Sequence, residues 1–485
     1  MPKHILLIIS DQCRADAIGA YGNPDAQTPA LDTLASESIV FDRAVTPSPV
    51  CVPARLCMLS GQYANRTGNS NNNPALLYEG EGVYSMLTKG GFHSSCIGKM
   101  HHVWDRFGSL GFETRVTQEE LSNPADDYTN FIVNSPYKNV FDYNGQRSEM
   151  YYVPQVSQLP AEVHPTQWIG DKSVEYLEQC DPTKSTFLVS SFIHPHPPFC
   201  PPAPWNKLFR SEHLPAPFIP ETTASLKPLL HTTFDSDKLG LSDLDLQRLK
   251  NFYYASLSFV DYQIGRILKT LKARGMYDDT LILFVSDHGE CLGDYRNMGK
   301  RTMLSAASRI PFLMKVPGVA HTHRSDPVSL VDIAPTLLSY AEIPYDSTLF
   351  DGKDILHSTG DFVFSQYNCH ENGVYMCAGS EDKLVYHGKK QTYHYFREMP
   401  EVYDEYEAAI AENDPRVLHM KALLDAYIAA DRGVTPEKKG KKKQKNPNPF
   451  GVTRMDHVRR LEEEAARIPE GYHIDLDLVD KSEPW

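Results

Sequence analysis

The feature that most constrains folding is a recurrence of short apolar runs, each ending almost directly in polar groups. "HILLIIS" (4–10) meets Asp11 and Gln12, and "FHSSCIGKM" (92–100) carries Lys99 ahead of His101. "STFLVSSFIH" (185–194) ends in His194 with His196 beyond, and "TLILFVSDHGE" (280–290) contains Asp287 and His288. Runs this short and this apolar read as strands buried on both faces, the habit of a parallel sheet. "IVFDRAVT" (39–46) returns to the same character. Helical patterns lie between the runs: "TPALDTLASES" (28–38), "GVYSMLTKGG" (82–91) and a long stretch at 241–275 with Ser242 to cap it and Gly275 to end it. Repeated strand–helix–strand order specifies an α/β fold, a large mainly parallel sheet flanked by helices. In such sheets ligand groups gather at the carboxyl ends of strands.

Past residue 360 the pattern shifts. "DFVFSQYN", "GVYMCAG", "DKLVYHG" and "QTYHYF" are short, aromatic-rich and separated by turn residues, which predicts a small antiparallel sheet. "DPRVLHMKALLDAYIAADR" (414–432) predicts a helix covering it. The expected division is a catalytic α/β domain at 1–360 and a smaller C-terminal subdomain at 361–485. The latter contains a Lys-rich solvated loop (436–449) and a tail suited to packing on a second subunit in a homo-oligomer.

Composition narrows the class. The 485-residue chain has a net charge of −14, which argues against a nucleic-acid partner, and it has no apolar run of membrane-spanning length. Asp11 follows the first apolar run with no small-residue cleavage site, so that run reads as a strand rather than a signal peptide, and a cytoplasmic location is expected. Nine cysteines without a CxxC pair or Cys/His zinc spacing argue against a disulfide framework.

Any one of the strand-end residues alone would be an ordinary loop residue. Their repetition is what points to chemistry. Two Asp residues, an amide oxygen and an imidazole suit Ca²⁺, Mg²⁺ or Mn²⁺ better than zinc. Arg55, Lys99, Lys300 and the histidines would hold an anion beside the metal, an arrangement for sulfuryl or phosphoryl transfer.

Cys51-Val52-Pro53-Ala54-Arg55, continuing to Leu59-Ser60-Gly61, resembles the signature of type I sulfatases in the alkaline phosphatase superfamily. "DQCRADAIGAYGN", "GKMHH", "HPHPPF" and "SDHGECLGD" with Lys300 resemble the other active-site segments of that family. The resemblance implies an alkaline phosphatase-like fold and conversion of Cys51 to formylglycine (3-oxoalanine) by a formylglycine-generating enzyme. It further implies one divalent metal, Ca²⁺ by family habit with Mn²⁺ or Mg²⁺ as alternatives, held by Asp11, Gln12, Cys51, Asp287 and His288. Arg55 and Lys99 would hold the formylglycine hydrate and His101 would take its proton. His196 and Lys300 would meet the substrate's bridging oxygen. His194 occupies a variable place, as a substrate contact or a loop residue. Gln12 and His288, where Asp and Asn are more usual, resemble the branch of choline sulfatases and phosphonate monoester hydrolases. The expected reaction is hydrolysis of a sulfate monoester on a sulfated small molecule or saccharide. The alternatives are a phosphonate monoester or phosphodiester hydrolase and a non-catalytic anion-binding relative. Asn-rich 65–74, Trp104, Arg106, Tyr367 and His370 are candidates for the substrate pocket. Pro53 suits the first turn of a helix that begins at the residues following Cys51, where unpaired N–H groups would favour anionic oxygens, and Cys57 inside that helix reads as a buried packing thiol.

Overall fold

The computed structural model describes residues 3–434, apart from 73–77, 103–105, 148–149, most of 211–234, 398–405 and 409–412. The first ten strands are β1 (His4–Ser10), β2 (Ile39–Phe41), β3 (Ala44–Val45), β4 (His93–Gly98), β5 (Thr114–Thr117), β6 (Thr186–Phe192), β7 (Thr280–Val285), β8 (Phe312–Lys315), β9 (Thr322–Arg324) and β10 (Val328–Ser329). Eight of them form one sheet in the order β5-β4-β6-β1-β7-β8-β2-β9, and β3 pairs with β10 apart from it. From β5 to β7 all neighbours are parallel, whereas β8 runs antiparallel to both β7 and β2. The four runs with polar ends are β4, β6, β1 and β7. They lie side by side, so their carboxyl ends open along one edge.

All seven residues of β1 are buried, and their alternation feeds two cores. Leu6 and Ile8 pack with Leu188, Ile282 and the long helix Asp243–Ala273, through Leu257, Ile264 and Leu271. Ile5, Leu7 and Ile9 face the other way, onto Val189, Leu283 and residues of the helices Cys51–Ser60, Val83–Lys89 and Ile333–Tyr340. The long helix starts as expected, in a reciprocal Ser242–Asp245 capping box, and Gly275 just beyond its end has φ +66°. The expected strand over 39–46 is broken into β2 and β3 by a turn at Asp42–Arg43, where the buried Arg43 donates to the Gly379 carbonyl at 3.2 Å.

The C-terminal strands β11 (Val363–Tyr367), β12 (Val374–Ala378), β13 (Asp382–His387), β14 (Thr392–Arg397) and β15 (Tyr406–Ala408) form an antiparallel meander in chain order. The fifth strand has no counterpart in the sequence reading. The helix Pro415–Ala429 covers one face, where Met420 and Leu424 pack with Tyr375, Leu384 and also Cys57 and Tyr63. Met376, Val385 and Phe396 on the other face pack with Val45, Val50 and Leu304. Residues from both sides of position 360 therefore share two cores, and one of them props the helix that begins at Cys51. The Lys-rich loop 436–449 and the tail lie outside the described residues. Among the described residues no helix is long and apolar enough to cross a membrane.

Candidate active site

The helix Cys51–Ser60 is buried along its whole length and begins at Cys51 itself, with Val50 extended before it. The sequence places the start just after Cys51, with unpaired N–H groups in the first turn. In the structure the Val52 N–H donates to Asn72 Oδ1 at 3.0 Å, and Pro53 in the first turn has no N–H to leave unpaired. Gly61, in the left-handed region at φ +66°, ends the helix by donating to the Cys57 carbonyl at 2.8 Å. The four-residue spacing brings Cys51 and Arg55 to one helix face, toward the strand ends. Cys57 points instead into the apolar cluster with Tyr63 and Tyr375, as a packing thiol.

Main-chain bonds continue one residue past the strands and set the site residues in place. Asp11 N–H donates to the Phe192 carbonyl and Lys99 N–H to the Ser191 carbonyl, each at 3.0 Å. Gly98 has φ +100°, and a Cβ there would overlap the Ser191 carbonyl. Arg55 then binds four groups with its fork: Asp287 Oδ2 at 2.8 Å, Asp11 Oδ2 at 3.2 Å, the Lys99 carbonyl at 2.8 Å and Ser191 Oγ at 3.1 Å. Lys99 Nζ adds a 2.5 Å ion pair to Asp11 Oδ2.

Each aspartate thus spends one oxygen on cations and presents the other. One carboxylate oxygen each of Asp11 and Asp287, a ring nitrogen of His288 and Cys51 Sγ all lie within 4.8 Å of one another and are buried, with His288 Nε2 3.9 Å from Asp11 Oδ1 and 3.7 Å from Asp287 Oδ1. His288 Nδ1 donates to the Gly289 carbonyl at 3.0 Å, which leaves the Nε2 lone pair facing the group. Two carboxylate oxygens, an imidazole and the residue-51 side chain on one point fit a divalent cation. Gln12, at φ +63°, lies alongside with its Oε1 accepting from Lys300 Nζ at 2.7 Å. Lys300 Nζ is also 3.0 Å from Cys51 Sγ, and His288 Nε2 is 3.1 Å from it.

Burial and the neighbouring Asp287 push the Asp11 carboxyl up, but the charges of Lys99 and Arg55 outweigh them and hold it below its usual range. Burial opposes ionisation of Asp287 as well, and the charges of Arg55 and Lys99 overcome it to hold that carboxyl low. Burial, then Asp11, pushes the Cys51 thiol to about 11 despite Lys300 and Lys99. A cysteine kept protonated in this way is a poor nucleophile.

Four residues outside the sequence reading complete the site, three acids and Arg147. The Glu120 carboxylate contacts Lys99 Nζ and stands 3.5 Å from His101 Nδ1 and 3.7 Å from His196 Nε2, with Arg147 donating to its other oxygen at 3.0 Å. Burial lowers the basicity of both His101 and His196, so both imidazoles are neutral at neutral pH. Despite the cost of burial, Glu120 is held ionised by Lys99. Glu119 accepts from the main-chain N–H of Met100 at 2.9 Å and of His101 at 3.1 Å, fixing the loop in which His101 takes φ +55°. Glu290 contacts Gln12. The consecutive acids 119–120 belong to no motif in the sequence, whereas Glu290, two residues past His288, had a signal in its position.

His194 does not face this group. Its Nδ1 pairs with Thr166 Oγ1 at 2.9 Å, its Nε2 lies 3.7 Å from Cys200 Sγ, and its ring packs on His164. Tyr367 packs in the C-terminal core and His370 Nε2 pairs with the Gly433 carbonyl at 2.6 Å. Arg106 pairs with Glu119 at 3.5 Å, and Trp104 lies outside the described residues.

The Sulfatase family model matches residues 3–343. An arylsulfatase of Clostridium perfringens is 28% identical over 423 residues, covering 82% of this chain and 88% of its own. The fold is shared with a phosphonate monoester hydrolase of Agrobacterium radiobacter, with a TM-score of 0.73 and 20% identity over 88% of this chain and 95% of that one. It is also shared with a protein solved in complex with its substrate D-glucosamine-2-N,6-O-disulfate, with a TM-score of 0.68 and 19% identity over 91% of this chain and 100% of that one. With the family matched across the whole region that builds the Cys51 site, the chain belongs to the sulfatase family and is a sulfuric ester hydrolase.

Proposed function

We propose that this chain hydrolyses a sulfate monoester of a saccharide through a formylglycine made from Cys51, with one divalent cation, Ca²⁺, held by Asp11, Gln12, Asp287, His288 and residue 51. The observation that carries the reading is the position of Cys51 Sγ. It is buried at the first residue of its helix, 3.0 Å from Lys300 Nζ and 3.1 Å from His288 Nε2, at the meeting point of the strand ends. A formylglycine hydrate at residue 51 would supply the attacking oxygen and a second hydroxyl whose deprotonation expels sulfate as the aldehyde re-forms, and the cation would supply the positive charge that lowers the attacking oxygen's pKa.

The protein's own groups do the rest. Arg55 and Lys99 orient the two aspartates and hold positive charge beside residue 51. His101, neutral because it is buried, takes the proton of the second hydroxyl. His196 and Lys300 flank the place of the bridging oxygen and supply hydrogen bonds to it as the alcohol departs. A sulfated saccharide is supported by the neighbour that holds a disulfated glucosamine.

Two measurements test this. Mass spectrometry of the residue-51 peptide from the native host should find formylglycine, and finding cysteine alone would remove the mechanism. A comparison of kcat/KM should favour an aryl sulfate over an aryl phosphonate ester. A preference for the phosphonate by orders of magnitude would replace the sulfate reading with the phosphonate hydrolase one.

A further inference from the structure

The side-chain amide of Gln12 has two ends that cannot be exchanged freely. Its Oε1 accepts from Lys300 Nζ at 2.7 Å, and its Nε2 donates to Glu290 Oε2. Lysine only donates, so the oxygen must face Lys300 and the Cys51 side of the site. A carboxylate at 290 only accepts, so the nitrogen must face Glu290. Glu290 is itself pinned, because its Oε1 accepts from the main-chain N–H of Leu292 at 3.0 Å and from that of Gly299. Both side chains are buried, Gln12 at 1% exposure and Glu290 at 0%, so water offers no substitute partner. The Gln12 main chain is held as firmly, its N–H donating to Asp287 Oδ1 at 3.1 Å and its carbonyl accepting from the Tyr253 hydroxyl at 2.9 Å.

We propose that Glu290 is a positioning residue that locks Gln12 with its amide oxygen toward the metal site, so that Gln12 and Glu290 work as a matched pair. The inference rests on the metal reading above and adds to it the group that decides which end of Gln12 the cation meets. Glutamine is a ligand only through oxygen, and a flipped amide would present an NH₂ to a cation and to Lys300.

Glu290→Gln makes the test specific. The oxygen of the introduced amide stays with its two main-chain donors, so its NH₂ faces Gln12, and Gln12 must flip to give that NH₂ an acceptor. The full-length chain, matured in its host and stripped with a chelator, is titrated with Ca²⁺ alone by calorimetry. Its melting temperature in chelator reports folding separately. The loss of an orienting partner weakens metal affinity by about 10–100-fold, and that is the loss expected for Glu290→Gln. On a Gln12→Glu background the same change should cost nothing, because the carboxylate introduced at position 12 accepts from the new NH₂ and still offers oxygen to the metal.

Ca²⁺ affinity of Glu290→Gln within about twofold of the parent would overturn the proposal, since an orienting partner is worth more than that. So would an equal loss in both backgrounds, which marks Glu290 as structural filling. If Glu290→Gln alone fails to fold, the comparison of the double variant with Gln12→Glu still decides, since weaker Ca²⁺ binding by the double variant counts against the pairing. A parent chain that binds no Ca²⁺ removes the metal reading itself, a result distinct from either of these.

Discussion

Arg55 offers the sharpest test of how the site is held together. Its guanidinium is 1% exposed and donates to both site aspartates, to the Lys99 carbonyl and to Ser191 Oγ. Arg55→Met removes the charge at similar length. Hydrogen bonds to charged groups contribute about 1.5–3 kcal/mol each, so the two aspartate contacts together amount to about 3–6 kcal/mol. Removing one partner of a buried ion pair costs about 3–5 kcal/mol by a separate route. The two agree on about 4 kcal/mol, a large part of the roughly 5–15 kcal/mol that holds a domain folded. Urea unfolding in chelator, followed by tryptophan fluorescence, measures it directly. Stability is the right readout because Arg55 also belongs to the maturation motif, so activity would confound two effects. Arg55→Lys, which keeps the charge without the fork, should lose about half as much. Saturating Ca²⁺ should shrink the Arg55→Met loss, because a divalent charge offsets the same two carboxylates. A loss below about 1 kcal/mol in chelator, or one that grows with Ca²⁺, would refute the account of Arg55 as the cation that balances Asp11 and Asp287.

Three further outcomes are expected. His196→Ala should lower kcat/KM for alkyl and sugar sulfates by about 10²–10⁴ and for a nitrophenyl sulfate far less, since that leaving group needs little help; equal losses would remove His196 from the leaving-group side. His194→Phe should cost about 1 kcal/mol of stability through the lost Thr166 bond and leave KM unchanged; a raised KM with unchanged stability would return His194 to the substrate. Burial pushes the Asp261 carboxyl from 3.8 to about 7, against the N–H donors of Leu31 and Ala30. The folded chain therefore keeps a proton that the unfolded chain has released. Stability from this group is full below the unfolded pKa and is lost as pH rises through about 7. Asp261→Asn should flatten the stability profile between about pH 4 and 8, and an unaltered slope would show that another group sets it.

The parts of the site that were legible in the sequence are those whose cause is local. A run such as "HILLIIS" must bury both faces, and the residue at its end must then sit where the sheet stops. Cys51 and Arg55 share a face because a helix repeats near four residues, and Gly275 ends the long helix because its backbone takes positive φ readily. The fifth C-terminal strand, β15, is only three residues long, too short for alternation to register.

His194 and His196 show the limit. Two residues apart in one loop, they were told apart only by the family resemblance, which put His196 at the bridging oxygen and left His194 open; in the structure His194 turns to Thr166 and Cys200 and His196 to Glu120. Nothing in their spacing distinguishes them, because Thr166 and Glu120 come from separate segments earlier in the chain.

The sequence by itself determined the alternating elements, the polar groups at four strand ends and the helix that carries Cys51. Only the tertiary structure decided that β4, β6, β1 and β7 are neighbours, and that Glu119, Glu120 and Glu290 are buried against the site rather than solvated. The physical reason is that strand order follows from how the crossover helices pack on the sheet. The charge state and orientation of a buried side chain follow from whichever groups that packing brings within hydrogen-bonding distance.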